Sequence, residues 1–215
     1  MSELIRQQYL LLEKYFCQGG PLMGPLLLLS LVMWLLIIER SLFLGRLYRR
    51  NMSHQVAREH LLAGERPDPR QYKGVVSLLV SRFLRQRSGE VELDRFILDE
   101  VVLGINHRLN DHLATIGVLA AIAPLFGLLG TVTGMISTFD VLALFGTGNS
   151  KAMAGGISEA LITTQTGLLV AVPGLYMKNF LSRRADNLQQ RVATAGLYLR
   201  RALKAADQGE PSCST

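Results

Sequence analysis

The stretch LAAIAPLFGLLGTVTGMISTF, residues 119–139, decides the fold. It holds no charge, and the uncharged run around it extends from Leu113 to Phe139, 27 residues. As a helix rising ~1.5 Å per residue this is ~40 Å long, more than the roughly 30 Å of a hydrocarbon core. Two further runs have the length of membrane spans: Leu22 to Ile38 carries no charge, and Met153 to Met177 carries only Glu159. The whole chain, with 49% apolar and 19% charged residues over 215 positions, is close to a globular average, so the clustering of the apolar residues is what excludes a simple soluble enzyme. The predicted fold class is all-α: an integral membrane protein with three transmembrane helices, two of them extended into a cytoplasmic helical bundle.

A formal charge of +6 raises the question of a nucleic-acid partner, and the placement of the basic residues answers it. Twelve Lys and Arg fall between Gly45 and His112 and seven from Lys178 onward, whereas the first 21 residues hold only Arg6 and Lys14 and the segment between the second and third runs only Lys151. This is the positive-inside pattern, and it needs no nucleic acid. It places the amino terminus and the short loop outside, and the long middle segment and the carboxyl tail in the cytoplasm. Cys17 and Cys213 then lie on opposite sides of the membrane and do not pair within one chain. Cys213 is followed by two residues, so no prenylation pattern is present, and the charges among the first sixteen residues are unlike a cleaved signal peptide.

Seven segments follow. Residues 1–20 form an amphipathic helix along the outer interface, with Ile5, Tyr9, Leu12 and Phe16 on one stripe and Gly19, Gly20 and Pro21 ending it. Residues 21–45 are the first span, 46–112 the cytoplasmic helical segment, 113–145 the second span, 146–152 the outer loop, 153–180 the third span and 181–215 the cytoplasmic helical tail. Pro67 and Pro69 divide the middle segment, with a helix on each side. Tyr72 to Arg87 and Glu92 to Asp111 keep apolar residues at helical spacing, among them Leu93, Phe96, Ile97, Val101, Ile105 and Leu109. No breaker precedes the second span, so one continuous helix is expected there. A similar extension follows the third span through Leu181, Leu188, Val192 and Leu199.

Within the second span Pro124, Gly127, Thr131, Gly134 and Thr138 recur at three and four, a narrow face of small and hydroxylic residues. Such a face either lets helices approach, as the GxxxG of Gly130 and Gly134 suggests, or lines a hydrated path. In the third span Glu159 shares a face with Gly156, Thr163, Thr166 and Val170. A carboxylate at the membrane centre costs roughly 2.5 kcal/mol or more unless it faces protein or water, so Glu159 is a candidate for binding water, a cation or a proton. A protonated or structurally paired Glu, or one near the outer boundary, is the alternative.

Enzyme-like patterns fail on inspection. Gly156-Ile157-Ser158-Glu159-Ala160 approximates a nucleophile elbow, but no histidine follows it in the chain. The glycine-containing outer loop does not meet the phosphate-loop order. The histidines at 54, 60, 107 and 112 lack the spacing of two ligands on one helical face, so no metal site is expected. Asn51-Met52-Ser53 matches a glycosylation acceptor by chance, since it lies in the cytoplasmic segment.

The chain resembles the ExbB/TolQ/MotA proton-channel family, and its ExbB branch more closely. The resemblance covers nearly the whole chain and is carried by GPLMGPLLLLS (20–30) leading to IER (38–40), by APLFGLLGTVTG (123–134), and by AGGISEAL (154–161) followed by Thr163-Thr164 and Gly167-Leu168. It implies a multi-pass protein of the bacterial inner membrane with a periplasmic amino terminus, and a pentamer whose pore encloses the single spans of two ExbD-like subunits. It implies neither an enzyme nor a cofactor. The proton would be taken by an Asp of the ExbD-like subunit, driving its rotation, and the work would pass to a TonB-like protein that opens outer-membrane transporters for iron–siderophore or similar cargo. Carried over residue by residue, it makes Thr131 and Thr164 pore-facing hydroxyls and Glu159 the pore-lining carboxylate, with Thr163 and Thr166 on the Glu159 face. Pro124, Gly127, Gly130 and Gly134 remain packing positions. Thr133 stands where a Trp is frequent, and Gln165-Thr166 replace apolar residues. The MotA branch has four spans, and three are visible here. A TolQ-like role in the envelope and a non-conducting scaffold are the competing functions.

Overall fold

The computed structural model describes residues 19–48, 52–64, 67, 74–146 and 150–207. Among them are six α-helices and no strand: α1 (Met23–Tyr48), α2 (His54–Ala63), α3 (Val75–Gln86), α4 (Val91–Asn110), α5 (Leu113–Phe145) and α6 (Ser150–Asp207). Met23–Tyr48, Val91–Phe145 and Ser150–Lys204 each contain a helical stretch long and apolar enough to cross a membrane. The protein is thus all-α with three membrane helices. The expected interfacial helix before Gly19, both cysteines and the tail beyond Asp207 lie outside the described residues, as does the loop at 147–149. Helix α6 starts at Ser150, inside the 146–152 segment expected as a loop.

One expectation is corrected. The helix before the second span does not run on without a break: α4 ends at Asn110, Asp111 and His112 form a turn, and α5 starts at Leu113. His112 has φ +61°, in the left-handed region, and the Asp111 N–H donates to the His107 carbonyl at 3.2 Å. No Gly or Pro marks the break, but Asn, Asp and His are the non-glycine residues that most readily enter this region, and here they stand in a row.

The chain divides into two compact units, Glu39–Leu113 with Phe180 onward, and the residues up to Ile38 with Ala114–Asn179. In the first of these, Leu181, Ala185, Leu188, Val192, Ala195 and Leu199 of α6 are all fully buried, at alternating spacings of four and three. That is a heptad seam, and each buried Leu contributes about 2 kcal/mol of transfer free energy. It packs against α4, which runs antiparallel to it: Arg200 pairs with Asp99 at 3.3 Å, Gln189 donates to Asn110 at 2.8 Å, and Val102 lies where a Cβ on Gly196 would sit. The core line of α4 is Asp94, Leu98, Val101, Ile105 and Leu109, matched on α3 by Val75, Val76, Leu79, Val80 and Phe83. Leu93 and Phe96, apolar positions on the expected face, are 47% and 70% exposed, and Asp94 takes the inward position instead.

Asp94 is buried because the α3–α4 connection closes over it. Its carboxylate accepts from Arg87 Nε at 3.1 Å, from the Ser88 N–H at 2.8 Å and Oγ at 3.1 Å, and from the Gly89 N–H at 3.4 Å. A charge in the core is stable only with its lone pairs met in this way. Asp94→Ala strips four donors of their acceptor and is expected to lower the stability of the purified protein by ~3 kcal/mol, read as a lower melting temperature. An unchanged melting temperature would show that the loop holds itself.

Arg40 sits in the second half of α1, 3% exposed, and a guanidinium N–H donates to the Arg108 carbonyl. That carbonyl is among the last four of α4, which have no partner within the helix, so Arg40 acts as its C-terminal cap. The same guanidinium lies 4.8 Å from the Phe43 ring centroid, and Glu39 is 3.8 Å from His112. Adjacent residues of α1 thus hold both sides of the Asp111–His112 turn.

Candidate functional site: a seam of glycines and threonines beside Glu159

In the unit containing Ala114–Asn179, α5 and α6 pack antiparallel through residues with almost no side chain. A Cβ on Gly127 would lie 3.1 Å from Thr164 Cα, one on Gly134 2.7 Å from the Gly156 carbonyl oxygen, and one on Gly167 2.8 Å from that of Ala123. A Cβ on Gly130 would overlap the Thr163 side chain, and one on Gly156 that of Thr138. The two backbones touch because there is nothing between them. Lipid tails are as apolar as Leu and provide no hydrophobic drive, so this close approach supplies the dispersion contacts that hold membrane helices together.

The buried stripe of α5 is therefore Ala120, Ala123, Gly127, Gly130, Gly134 and Thr138. It differs from the narrow face read on the helical wheel. Gly127, Gly134 and Thr138 belong to it, whereas Pro124 and Thr131 are half-buried on its flank. A third element contributes too: Met23, Leu26, Leu29, Met33 and Ile37 of α1 are buried, with Met33 packed where a Cβ on Gly174 would be. Exposed Leu27, Leu28, Leu31 and Leu35 on α1, and Leu168, Leu169 and Val172 on α6, cover other faces.

The hydroxyls have distinct fates. Thr163, 1% exposed, donates to the carbonyls of Glu159 and Ala160, both at 3.0 Å, and Thr166 to that of Ile162 at 2.8 Å. Thr138 donates to Gly134 O at 2.9 Å and Thr131 to Leu128 O at 2.7 Å. All these bonds stay within one helix, the usual way for Ser and Thr to satisfy a proton in an apolar setting. Thr164 also crosses the seam: its hydroxyl lies 3.2 Å from the Gly127 carbonyl of α5 and 3.0 Å from that of Ala160. With their protons engaged, these oxygens keep lone pairs, so those of half-buried Thr131 and Thr164 are acceptors.

Glu159 is half-buried, and its carboxylate lies directly on Gly20, in the turn that precedes α1. Gly20 has φ +66°, and a Cβ there would coincide with the carboxylate. Glycine is thus required twice, by the backbone and by the space. The structure brings Thr163 and Thr164 to Gly127 and Gly130, and Glu159 to Gly20. Sequence reasoning missed Gly20 as a partner of Glu159 and took it as a helix breaker and the start of a motif. A glycine pair before a span is a weak signal, and its left-handed turn is what makes the contact. Among the described residues no group of three His, Cys, Asp or Glu is placed to hold a metal.

The chain is 34% identical over 181 residues to the ExbB-like 1 protein of Synechocystis sp., covering 73% of this chain and 65% of that one. It is 36% identical over 110 residues to the biopolymer transport protein ExbB of Salmonella typhimurium, covering 50% and 44%, and 28% identical over 202 residues to ExbB of Neisseria meningitidis, covering 83% and 90%. It thus spans less than two thirds of the length of the first two. Together with the three apolar helices, these relatives make it a multi-pass protein of the bacterial inner membrane. The seam, Glu159 and most of the helical bundle lie within residues 69–194, more than half the chain, which match the MotA/TolQ/ExbB proton channel family, and the chain belongs to that family.

Proposed function

We propose that this chain is the channel-forming subunit of a proton-driven motor that energises TonB-dependent transport across the outer membrane. The observation that carries the reading is Glu159: it is the single acidic or basic residue in the second and third apolar runs, and it sits half-buried against Gly20, whose left-handed backbone favours glycine. Several copies, a pentamer by resemblance, surround the single spans of two ExbD-like subunits, with the amino terminus in the periplasm and the carboxyl tail in the cytoplasm. The Arg and Lys asymmetry supports that orientation. In this arrangement a protonated Asp of the partner donates to the acceptor oxygens of Thr131 or Thr164, while Glu159 supplies the fixed negative charge that attracts the incoming proton. The glycine seam keeps the two helices at constant spacing while the partner turns.

The test is a cell lacking this chain. Proton-gradient-dependent uptake of an iron–siderophore is expected to be lost, and to return with the wild-type gene. Intact uptake accompanied by envelope leakage would instead indicate the TolQ-like role. Intact uptake and envelope, with a partner lost from the membrane, would indicate a scaffold.

A further inference from the structure

In the unit of Glu39–Leu113, α3 and α4 frame an open cavity of about 220 Å³. Its floor is Val101 and Gly104, where the missing side chain leaves open space, and its rim carries Arg82, Arg85 and Arg108 with Gln86 and a single carboxylate, Glu100. None of the three arginines makes an ion pair with a described carboxylate. Elsewhere in the same unit Arg87 pairs with Asp94, Arg95 with Glu92 and Arg200 with Asp99, and Arg184 and Arg191 lie over aromatic rings. The cavity thus sets its three arginines against one carboxylate. Its cost is visible at Arg82, whose guanidinium is held below its usual range, first by burial and then by the positive charges of Arg108 and Arg85.

We propose that this cavity binds a phosphate-bearing anion. Guanidinium forks match the oxygens of a phosphate bidentately, Gln86 adds a neutral donor, and an anion removes the mutual repulsion of three cations held on two rigid helices. Arg82 and Arg85 are three apart on α3, and Arg108 of α4 lines the same cavity, so all three are within reach of one ligand. Arg108 stands five residues before Leu113, where the apolar run begins, so the phosphate can come from a phospholipid headgroup as well as from free solution.

The experiment compares the full-length wild type with R85Q/R108Q and with R85Q alone, each purified in one detergent. Both substituted side chains are exposed, so the fold does not depend on them. Bound phosphorus is assayed first. Melting temperature is then followed against inorganic phosphate and against mixed micelles of phosphatidylglycerol, with chloride and phosphatidylcholine as controls. The wild type is expected to be stabilised with an apparent affinity at least tenfold tighter than the double variant and intermediate for R85Q. A response to phosphatidylglycerol alone, or phospholipid retained by the wild type and lost from the variant, assigns the headgroup; a response to inorganic phosphate assigns the free ion. Equal responses of wild type and double variant, or a wild type that neither retains phosphorus nor responds to either ligand, would overturn the proposal.

Discussion

Cells whose sole copy of this chain carries Glu159→Gln are expected to lose at least about tenfold in the rate of proton-driven uptake, about 1.4 kcal/mol of barrier, while the complex still assembles. Glutamine keeps the shape and reach of the side chain, removes its charge and turns one acceptor oxygen into a donor, so a packing role would survive the exchange and a charge role would not. Gly20 supplies a second handle on the same group. A Cβ at Gly20 coincides with the Glu159 carboxylate, which is the far end of a flexible side chain and moves aside more cheaply than backbone. Gly20→Ala is therefore expected to reproduce much of the loss in a folded protein, at a backbone cost of ~1 kcal/mol for the left-handed φ. Gly20→Asn separates the causes, because asparagine tolerates that φ but still carries a Cβ. Full uptake in Glu159→Gln would reduce the carboxylate to a packing element. Full uptake in both Gly20 variants, with Glu159→Gln inactive, would show that the charge matters and its position does not.

Gly134→Leu is expected to prevent α5 and α6 from pairing at all. Even a methyl group would lie 2.7 Å from the Gly156 carbonyl and 2.9 Å from the backbone nitrogen and Cβ of Ala160, so what must yield is main chain. Gly134→Ala should cost ~1–3 kcal/mol, the usual range for overpacking, and the leucine more than the unit withstands. Gly117→Ala, in the same helix, is the control: its Cβ meets only Lys178, at an ordinary 3.5 Å, so a near-native melting temperature is expected. The readouts are the yield of monodisperse protein in detergent and its melting temperature. A Gly134→Leu protein as stable as Gly117→Ala would mean that the helices do not meet at this glycine.

How much of this was legible beforehand can be judged from particular residues. The three apolar runs and the lone Glu159 are properties of the chain read in one dimension: length and charge do not depend on what packs where. The same holds for Leu181, Leu188, Val192 and Leu199, whose spacing already described a buried stripe. Where two faces of one helix were both acceptable, tertiary contact chose between them. On α4 the choice fell on the line through Asp94 and Leu98 over Leu93 and Phe96, because Arg87, Ser88 and Gly89 of the preceding loop could satisfy the carboxylate. On α5 it fell on Ala120, Ala123 and Gly130, which leaves Thr131 on the flank. The turn at Asp111–His112 is stabilised by Glu39 and Arg40, some seventy residues away, and no local pattern announces partners at that separation. Gly20 beneath Glu159 is the same case over a longer span. Hydropathy and charge are summed along the chain and so survive in sequence, whereas the direction a side chain faces, and the space it is given, are set by whichever distant segment arrives against it.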